Sequence, residues 1–319
     1  ILYNAGVAQH ASGIGNIRAL ADLAMLTGNY GRPGTGVNPL RGHLNGEGFG
    51  DMGPLAVFYP GFRRVNEQSA RLFEGYWGVQ GLPSEPGMSY VDMMEHCDVL
   101  YVIGANPMAS APNTNRVREW LANKALLVVQ DIFLSETAKL ADVVLPAAAW
   151  VEKEGSVTGV DRRVQRITKA VDPPGEARPD WEIFTRLASI MHAEGEFGYT
   201  CPEQIFEEIR KTVPQYAGVS YERLKRAGGI QWPCPSEHHP GTDTMFVDKF
   251  ATPDGLGHFQ VVEYEEPLEI TDAEYSYVFT TGRLIFHYHS GTMSRRTRRL
   301  RQEVPDGFVA INVQDAEEK

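Results

Sequence analysis

The stretch that decides the fold class is Val99-Leu100-Tyr101-Val102-Ile103-Gly104-Ala105-Asn106-Pro107. Residues 99–103 predict an apolar strand, and residues 104–107 predict a tight turn at the carboxyl end of that strand. Helices are predicted on both sides, one ending at Cys97 and one covering residues 115–123. This alternation predicts the α/β fold class with a parallel sheet, whose ligands bind beyond the carboxyl ends of the strands.

The same alternation continues to residue 145, with strands predicted at 125–129 and 142–145 and a short helix at 136–140. The second strand ends in Gln130-Asp131, and Asp180 is expected to cap a later helix. A carboxylate accepts two hydrogen bonds from the N1 and N2 hydrogens of guanine. We therefore expect these loops and Asp180 to share one sheet edge that binds a nucleotide, although strand-end turns are also common as purely structural features.

A glycine-rich loop follows the first predicted helix. Apolar residues recur at helical spacing from Ile17 to Ala24, with Asn16 as the expected cap and Gly28 as the expected stop. Residues 40–48 carry several glycines, which let the backbone approach a ligand closely. This loop contains Arg41 and is the first candidate site.

Shorter patterns predict the remaining segments. Residues 147–171 are extended and polar, and a helix is predicted near 203–211. Strands are predicted at 259–264 and 275–280. Residues 309–316 resemble a strand that leads into a helix.

Composition limits the kinds of partner. The chain has 319 residues, 42% of them hydrophobic, and a formal net charge of -11. It can therefore bury a sizeable core, and the negative charge argues against a general affinity for nucleic acid or an anionic membrane. We expect no membrane insertion, because no apolar run is long enough to span a bilayer.

The cysteines offer no metal site. Cys97, Cys201 and Cys234 lack Cys-x-x-Cys spacing, so they cannot complete an iron–sulfur or zinc centre. We interpret them as reduced thiols in small buried or loop positions, which favours a cytoplasmic protein. No metal ligand is predicted in this chain.

A series of motifs runs in order along nearly the whole chain. They lie at residues 3–10, 26–34, 39–43, 104–107, 129–133, 141–146, 152–155, 162–165, 179–181, 281–283 and 287–292. Together these motifs resemble the molybdopterin oxidoreductase family, and the likeness is weakest between residues 194 and 272. Within the family, Arg41-Gly42 with Asn45 is similar to the formate dehydrogenase catalytic subunit.

The resemblance implies discontinuous nucleotide-binding α/β domains. Residues 1–43 would end one cofactor domain, and residues 44–149 with 180–200 would form a second. Residues 150–179 with 201–269 would form a β-rich connecting domain. Residues 270–319 would begin a truncated carboxyl-terminal β-barrel that binds the molybdopterin dinucleotide.

The resemblance also implies a bis(molybdopterin guanine dinucleotide) cofactor holding molybdenum or tungsten. It places a 4Fe-4S cluster and a cysteine or selenocysteine metal ligand upstream of Ile1, so we expect the chain to be a fragment. Implied partners are iron–sulfur subunits, with flavin or NAD-binding subunits as further candidates. The residues that the resemblance places against the cofactor are Gly6, Gln9, Gly42, His43, Gly104, Asn106, Ser110, Gln130, Asp131, Thr137, Asp180, Gly282, Arg283, His287, Tyr288 and His289.

Arg41 is the catalytic candidate that the resemblance implies, beside the metal and facing the substrate. A guanidinium suits formate because it offers paired donors to a carboxylate and stays charged. The alternative is a loop-ordering arginine that bonds carbonyls or pairs with Glu47. The loop departs from the formate dehydrogenase pattern at His43-Leu44, where Gln-Asn is typical, and at residues 46–48.

Two further groups near the carboxyl end have alternative interpretations. His287 and His289 have the spacing of metal ligands on a strand, but lacking further ligands they are interpreted as pterin or phosphate contacts. The arginines at 295–299 could contact a pyrophosphate, form a solvated loop or meet another subunit.

The reaction implied is oxidation of formate to carbon dioxide, with electrons passed to iron–sulfur clusters. One alternative is a relative acting on nitrate or another oxyanion. Another is a non-catalytic structural relative in a respiratory complex, against which Arg41, Gln130-Asp131 and Asp180 argue.

Overall fold

The computed structural model describes residues 1–318. The α-helices are Ala5–Ala8 (α1), Gly13–Leu26 (α2), Gly46–Asp51 (α3), Glu67–Trp77 (α4), Tyr90–His96 (α5), Pro107–Ser110 (α6), Thr114–Ala122 (α7), Asp180–Ile190 (α8), Glu194–Phe197 (α9), Pro202–Thr212 (α10), Tyr221–Ala227 (α11), Arg298–Glu303 (α12) and Val313–Glu318 (α13). The strands are Leu2–Tyr3 (β1), Asn38–Pro39 (β2), Phe58–Tyr59 (β3), Arg63–Arg64 (β4), Val99–Ile103 (β5), Leu126–Asp131 (β6), Val143–Pro146 (β7), Gly155–Thr158 (β8), Arg163–Ile167 (β9) and Ile230–Gln231 (β10). Short 3-10 helices lie at Ala138–Leu140, Trp150–Glu152, Pro214–Tyr216 and Ser294–Arg296.

The chain forms two compact units. The first unit contains residues 1–89 and 147–270, and the second unit contains residues 90–146 and the chain from 271 onward. Each unit has its own core. The domain boundaries expected from the sequence remain a prediction.

The second unit is built on a parallel sheet in the order β5-β6-β7. Val99 pairs with Leu126, and Val128 pairs with Val143. The α/β alternation predicted from residues 99–145 is therefore confirmed, although the helix predicted at 136–140 is a single 3-10 turn. The core of this unit consists of Met94, Leu100, Val102, Met108, Ala111, Val117, Leu121, Leu127, Val129 and Ala138.

The first unit contains an antiparallel sheet in the order β10-β9-β8. Residues 147–171, predicted to be extended, supply the hairpin of β8 and β9. The helix predicted near 203–211 is α10, which joins α11 over this sheet. Two smaller pairs are the parallel β1-β2 and the antiparallel β3-β4. The main core of this unit consists of Val164, Phe206, Val213, Tyr216, Val219, Tyr221, Leu224, Ile230 and Cys234.

Helix α2 begins earlier than its pattern indicated. It starts at Gly13, with Ser12 at the cap, so the predicted cap at Asn16 is wrong. Asn16 lies inside the helix, where its side-chain amide donates to the carbonyl of Val7 at 3.1 Å. The helix ends at Leu26, just before the predicted stop at Gly28.

The strands predicted at 259–264 and 275–280 are wrong. Both segments lack regular secondary structure, and so do residues 309–312, which precede α13. Their apolar side chains are exposed, with Val261 at 87% and Phe279 at 79%. A strand needs a neighbouring backbone to pair with, and within residues 1–318 no strand pairs with these segments. The start of a β-barrel in this region remains a prediction.

In the described part of the chain, none of the helices combines the length and the apolar character that crossing a bilayer requires.

Candidate functional site

Arg41 lies in the loop between β2 and α3. Leu40 ties this loop to β1, because its N–H donates to the carbonyl of Tyr3 at 2.7 Å. A Cβ at Gly46 would lie 2.8 Å from the Cβ of Arg41. The arginine stem therefore lies across the first turn of α3, and only glycine at position 46 leaves room for it.

Arg41 and Glu47 form an ion pair, with Nε and Oε1 3.4 Å apart. The contact named as the alternative for Arg41 is therefore present. The Arg41 side chain is nevertheless 53% exposed, whereas that of Glu47 is 13% exposed. A pair this open contributes roughly 0 to 1 kcal/mol, so it orients the arginine without sequestering it. The substrate role of Arg41 remains a prediction.

A buried polar chain lies beneath this loop, and the sequence did not indicate it. Tyr216 donates to Asp51, and Thr158 bonds to both Tyr216 and Asn45. Burial raises the pKa of Asp51 to about 6, while the hydrogen bond from Tyr216 opposes the shift. Burial also raises the pKa of Tyr216. Among Asp51, Thr158 and Tyr216, only Asp51 lay near a feature that the sequence singled out, three residues beyond the glycine-rich loop at 40–48.

The second candidate region is the carboxyl edge of the parallel sheet. Gly104 has φ +59, and no atom lies within 4 Å of where its Cβ would be. Asn106 is buried and engaged at both ends of its amide. Its Oδ1 accepts from the N–H and hydroxyl of Thr137, and its Nδ2 donates to Glu136 and Thr292. The donated bond holds the pKa of Glu136 below its ordinary value. Asn106 and Thr137 thus support the loops at this edge through buried hydrogen bonds.

We predict that Asn106→Ala loosens this edge. The change leaves the buried N–H and hydroxyl of Thr137 without an acceptor, at a cost of about 2 to 4 kcal/mol. Hydrogen exchange of the Thr137 amide in the complete enzyme should then quicken at least roughly 30-fold. Asn123→Ala, at the exposed end of α7, is the matched control and should leave that rate unchanged. Equal exchange in both variants would contradict the assigned role.

Other predicted residues at this edge differ in exposure. Gln130 is fully buried and accepts a hydrogen bond from Tyr101, whereas Ser110 is exposed and donates to the carbonyl of Asn106 at 3.0 Å. Asp131 is partly buried and accepts from the N–H of Ile132 at 2.7 Å. Burial raises the pKa of Asp131, and the backbone N–H donors oppose that shift. The edge thus has open space at Gly104 and a partly buried carboxylate at Asp131.

Asp180 belongs to the first unit, whereas residues 104–131 belong to the second. It is the first residue of α8, with Pro179 at the cap position and no side-chain cap bond. The predicted capping role is therefore wrong, because proline occupies the cap. The Asp180 carboxylate instead contacts the ammonium group of Lys153. A shared nucleotide edge with Gln130 remains a prediction.

The carboxyl-terminal motif lies in turns rather than on the predicted strand. Both ring nitrogens of His287 are engaged, one with Ser294 at 3.2 Å and one with the carbonyl of Val304 at 2.8 Å. His287 therefore ties its own loop together. Tyr288 and His289 pack edge to face at 4.6 Å and are exposed.

The arginines near this motif differ in their contacts. Gly282 and Arg283 are exposed, and the charge of Arg283 opposes the pKa rise that burial causes in Tyr288. Arg296 of the basic segment 295–299 lies over the ring of Phe133 at 4.9 Å. Arg283 is therefore an accessible cation for a phosphate, while part of the basic segment packs against its own unit.

The remaining predicted contacts lie in the first unit. Gly6 and Gln9 line an open cavity of about 780 Å³, together with glutamates at positions 265, 266 and 269. Carboxylates repel phosphate, so the lining of this cavity disfavours a pyrophosphate. Gly42 and His43 adjoin Arg41 in the loop, and His43 is exposed.

No group of three or more histidine, cysteine, aspartate or glutamate side chains that could hold a metal occurs within residues 1–318. The cysteines are all free. Cys234 is buried, and Cys97 and Cys201 are partly exposed.

Comparison with known proteins gives matches over the whole chain. The family model for molybdopterin oxidoreductase matches residues 1–190. The chain is 48% identical to the F420-dependent formate dehydrogenase subunit alpha of Methanocaldococcus jannaschii, covering 99% of this chain and 47% of that protein.

Two more distant relatives have different names. Formate dehydrogenase H of Escherichia coli is 37% identical, covering 99% of this chain and 45% of that protein. The assimilatory nitrate reductase catalytic subunit of Bacillus subtilis is also 37% identical, covering 98% of this chain and 46% of that protein. The chain thus spans about half the length of the curated relatives it matches.

Proposed function

Because this chain belongs to the molybdopterin oxidoreductase family, we propose that it forms part of an enzyme that oxidises formate to carbon dioxide. Family membership implies a molybdenum or tungsten pterin cofactor. The observation that carries the proposal is the exposed guanidinium of Arg41, held on a glycine-rich turn by Glu47. A small carboxylate is the ligand that such a planar fork binds best.

In the proposed reaction, formate loses one proton and two electrons and leaves as carbon dioxide. When bound, the pterin-held metal supplies the redox centre that takes up the electrons. Arg41 binds and orients the carboxylate through paired N–H donors. Glu47 contacts Nε, so it fixes the direction of the guanidinium while the side chain stays open to a ligand.

We further propose the bis(guanine dinucleotide) form of the cofactor. At the sheet edge, Asp131 would accept from guanine, with the backbone at Gly104 and the hydroxyl of Ser110 beside it. Gln130, Asn106, Thr137 and His287 would hold these loops in place. The other residues proposed to contact the cofactor are Gly6, Gln9, Gly42, His43, Asp180, Gly282, Arg283, Tyr288 and His289.

The remaining proposals concern the complete enzyme. A 4Fe-4S cluster outside this chain would carry electrons away, and iron–sulfur subunits, with or without flavin or NAD-binding subunits, would receive them. The name of the M. jannaschii relative indicates that it is one subunit of a larger enzyme. A cytoplasmic location also remains a prediction.

Nitrate is the competing substrate. It is a planar anion that an arginine also binds, and one relative is a nitrate reductase at 37% identity. The higher identity of 48% belongs to a formate dehydrogenase, which favours formate.

A substrate panel tests the proposal. The complete enzyme, purified without oxygen, is assayed for formate-dependent reduction of an artificial electron acceptor and for nitrate-dependent oxidation of the reduced acceptor. We expect turnover with formate only. Turnover with nitrate and none with formate would overturn the proposal.

A further inference from the structure

We propose that Thr158 and Tyr216 are positioning residues that hold the loop of Arg41 through Asn45 and Asp51, and so set how its guanidinium meets the substrate. This inference rests on the proposed function, because it names what orients the arginine assigned there to formate.

The first link is at the start of α3. The Oδ1 atom of Asn45, the residue before this helix, accepts from the N–H of Thr158 at 2.9 Å. A Cβ on Gly48 would lie 2.4 Å from that Oδ1 and 3.0 Å from the Oγ1 of Thr158. No side chain fits at position 48, so glycine there lets the start of α3 pack directly against β8.

The second link is at the end of α3. Tyr216 donates its single hydroxyl hydrogen to Oδ2 of Asp51 at 2.5 Å, so Thr158 is the donor to Tyr216 at 2.8 Å. Asp51, Thr158 and Tyr216 are 4%, 3% and 2% exposed. Breaking a hydrogen bond here leaves a desolvated polar group, so the chain of bonds resists displacement.

Together these links hold both ends of a six-residue helix that supports Arg41. Arg41 contacts two residues of that helix: its stem lies across Gly46, and its Nε contacts Glu47. A shift of α3 therefore alters both the packing of the arginine stem and its contact with Glu47. Displacements of about 1 Å at a reacting group lower rates substantially.

Isosteric variants test the proposal in the complete enzyme. Tyr216→Phe removes the bond to Asp51 and should lower kcat/KM for formate roughly tenfold, mainly through KM. Thr158→Val keeps the backbone bond to Asn45 and removes only the donor to Tyr216, so it should lower kcat/KM roughly threefold. Thr158→Ser keeps the donor and should restore the wild-type value. Metal and pterin content should not change. The matched control is Thr185→Val, because the Thr185 hydroxyl is buried without a hydrogen-bond partner in residues 1–318.

A double-mutant comparison separates positioning from general structural damage. In an Arg41→Lys background there is no planar fork to misorient, so Tyr216→Phe should lower kcat/KM less than about threefold, against roughly tenfold in the wild-type background. An equally large loss in both backgrounds would overturn the positioning role.

Hydrogen exchange of residues 45–52, measured without substrate, gives an independent readout. The amides should exchange faster in Thr158→Val and Tyr216→Phe than in the wild type and in Thr185→Val. Unchanged exchange would refute the network itself. Absence of formate oxidation by the wild-type enzyme would instead refute the proposed function, and the exchange result would still stand.

Discussion

Replacing Arg41 with lysine should lower kcat/KM for formate roughly 30- to 100-fold in the complete enzyme. Lysine keeps the charge but loses the planar pair of donors, and a charge-assisted bidentate contact is worth on the order of 2 to 3 kcal/mol. Metal and pterin content should stay near the wild-type level, because the half-exposed side chain contributes little to folding. Steady-state kinetics on metal-replete protein measure the effect.

Arg71→Lys is the matched control. Like Arg41, Arg71 pairs with a glutamate, in this case Glu67 of the same helix, at 3.1 Å. Its side chain is 77% exposed. It should retain wild-type kcat/KM. If Arg41→Lys behaves like this control, Arg41 only orders its loop and the substrate role is wrong.

Replacing Asp51 with asparagine should stabilise the α3 region by up to about 3 kcal/mol at pH 8 and by almost nothing near pH 4. Burial raises the pKa of Asp51 from 3.8 to about 6. Because the pKa is raised on folding, the protonated Asp51 carboxyl contributes stability that is fully present below pH 4 and is lost as the pH rises through 6. Asparagine still accepts a hydrogen bond from Tyr216 but carries no charge that must be desolvated. The variant therefore does not lose stability as the pH rises.

Hydrogen exchange of the α3 amides in the complete enzyme measures this effect. Rates at pH 5 and pH 8, corrected for intrinsic exchange, should differ less in Asp51→Asn than in the wild type. Glu47 and Arg41 also act on Asp51, with opposite effects on its pKa, so Glu47→Gln is a useful comparison. A gain in stability of equal size at both pH values would contradict burial of the charge as its cause.

Local pattern was sufficient to predict the parallel sheet of the second unit. The strand at 99–103 was predicted with its observed bounds, because a run of apolar residues followed by a turn is a local signal, although only Leu100 and Val102 are buried. The other strands of the parallel sheet differ by no more than two residues at either end. The Arg41–Glu47 contact was also predictable as an alternative, because its partners are six residues apart.

Contacts between distant segments were not predictable. Tyr216 and Asp51 are 165 residues apart, and Asn106 and Thr292 are 186 apart. Neither pair leaves a local pattern in the sequence. The polar chain beneath Arg41 and the hydrogen bond from Asn106 to Thr292 could therefore be found only in the structure. Residues 275–280, rich in aromatic and β-branched types, predicted a strand from propensity alone, and propensity does not supply a pairing partner.

The cofactor residues carried over from the family resemblance divide by environment. Asn106, Gln130 and Thr137 are buried within their unit, and His287 bonds to its own loop. Their proposed contribution is therefore to hold the loops that surround the cofactor in place. Asp131 is partly exposed, and Arg283 and His289 are exposed, so their proposed contribution is direct contact with the cofactor. A residue's match to a motif could not distinguish these two groups, because it carries no information on burial.

The central claim is that Arg41 anchors formate in an enzyme that oxidises it. Its most direct test is single-turnover release of labelled carbon dioxide from [13C]formate by wild-type, Arg41→Lys and Arg71→Lys enzymes, measured against formate concentration. We predict that the wild-type and Arg71→Lys enzymes reach half-saturation at the same concentration and that Arg41→Lys needs roughly 30-fold more. Three superimposed curves, or no labelled carbon dioxide from the wild-type enzyme, would contradict the claim.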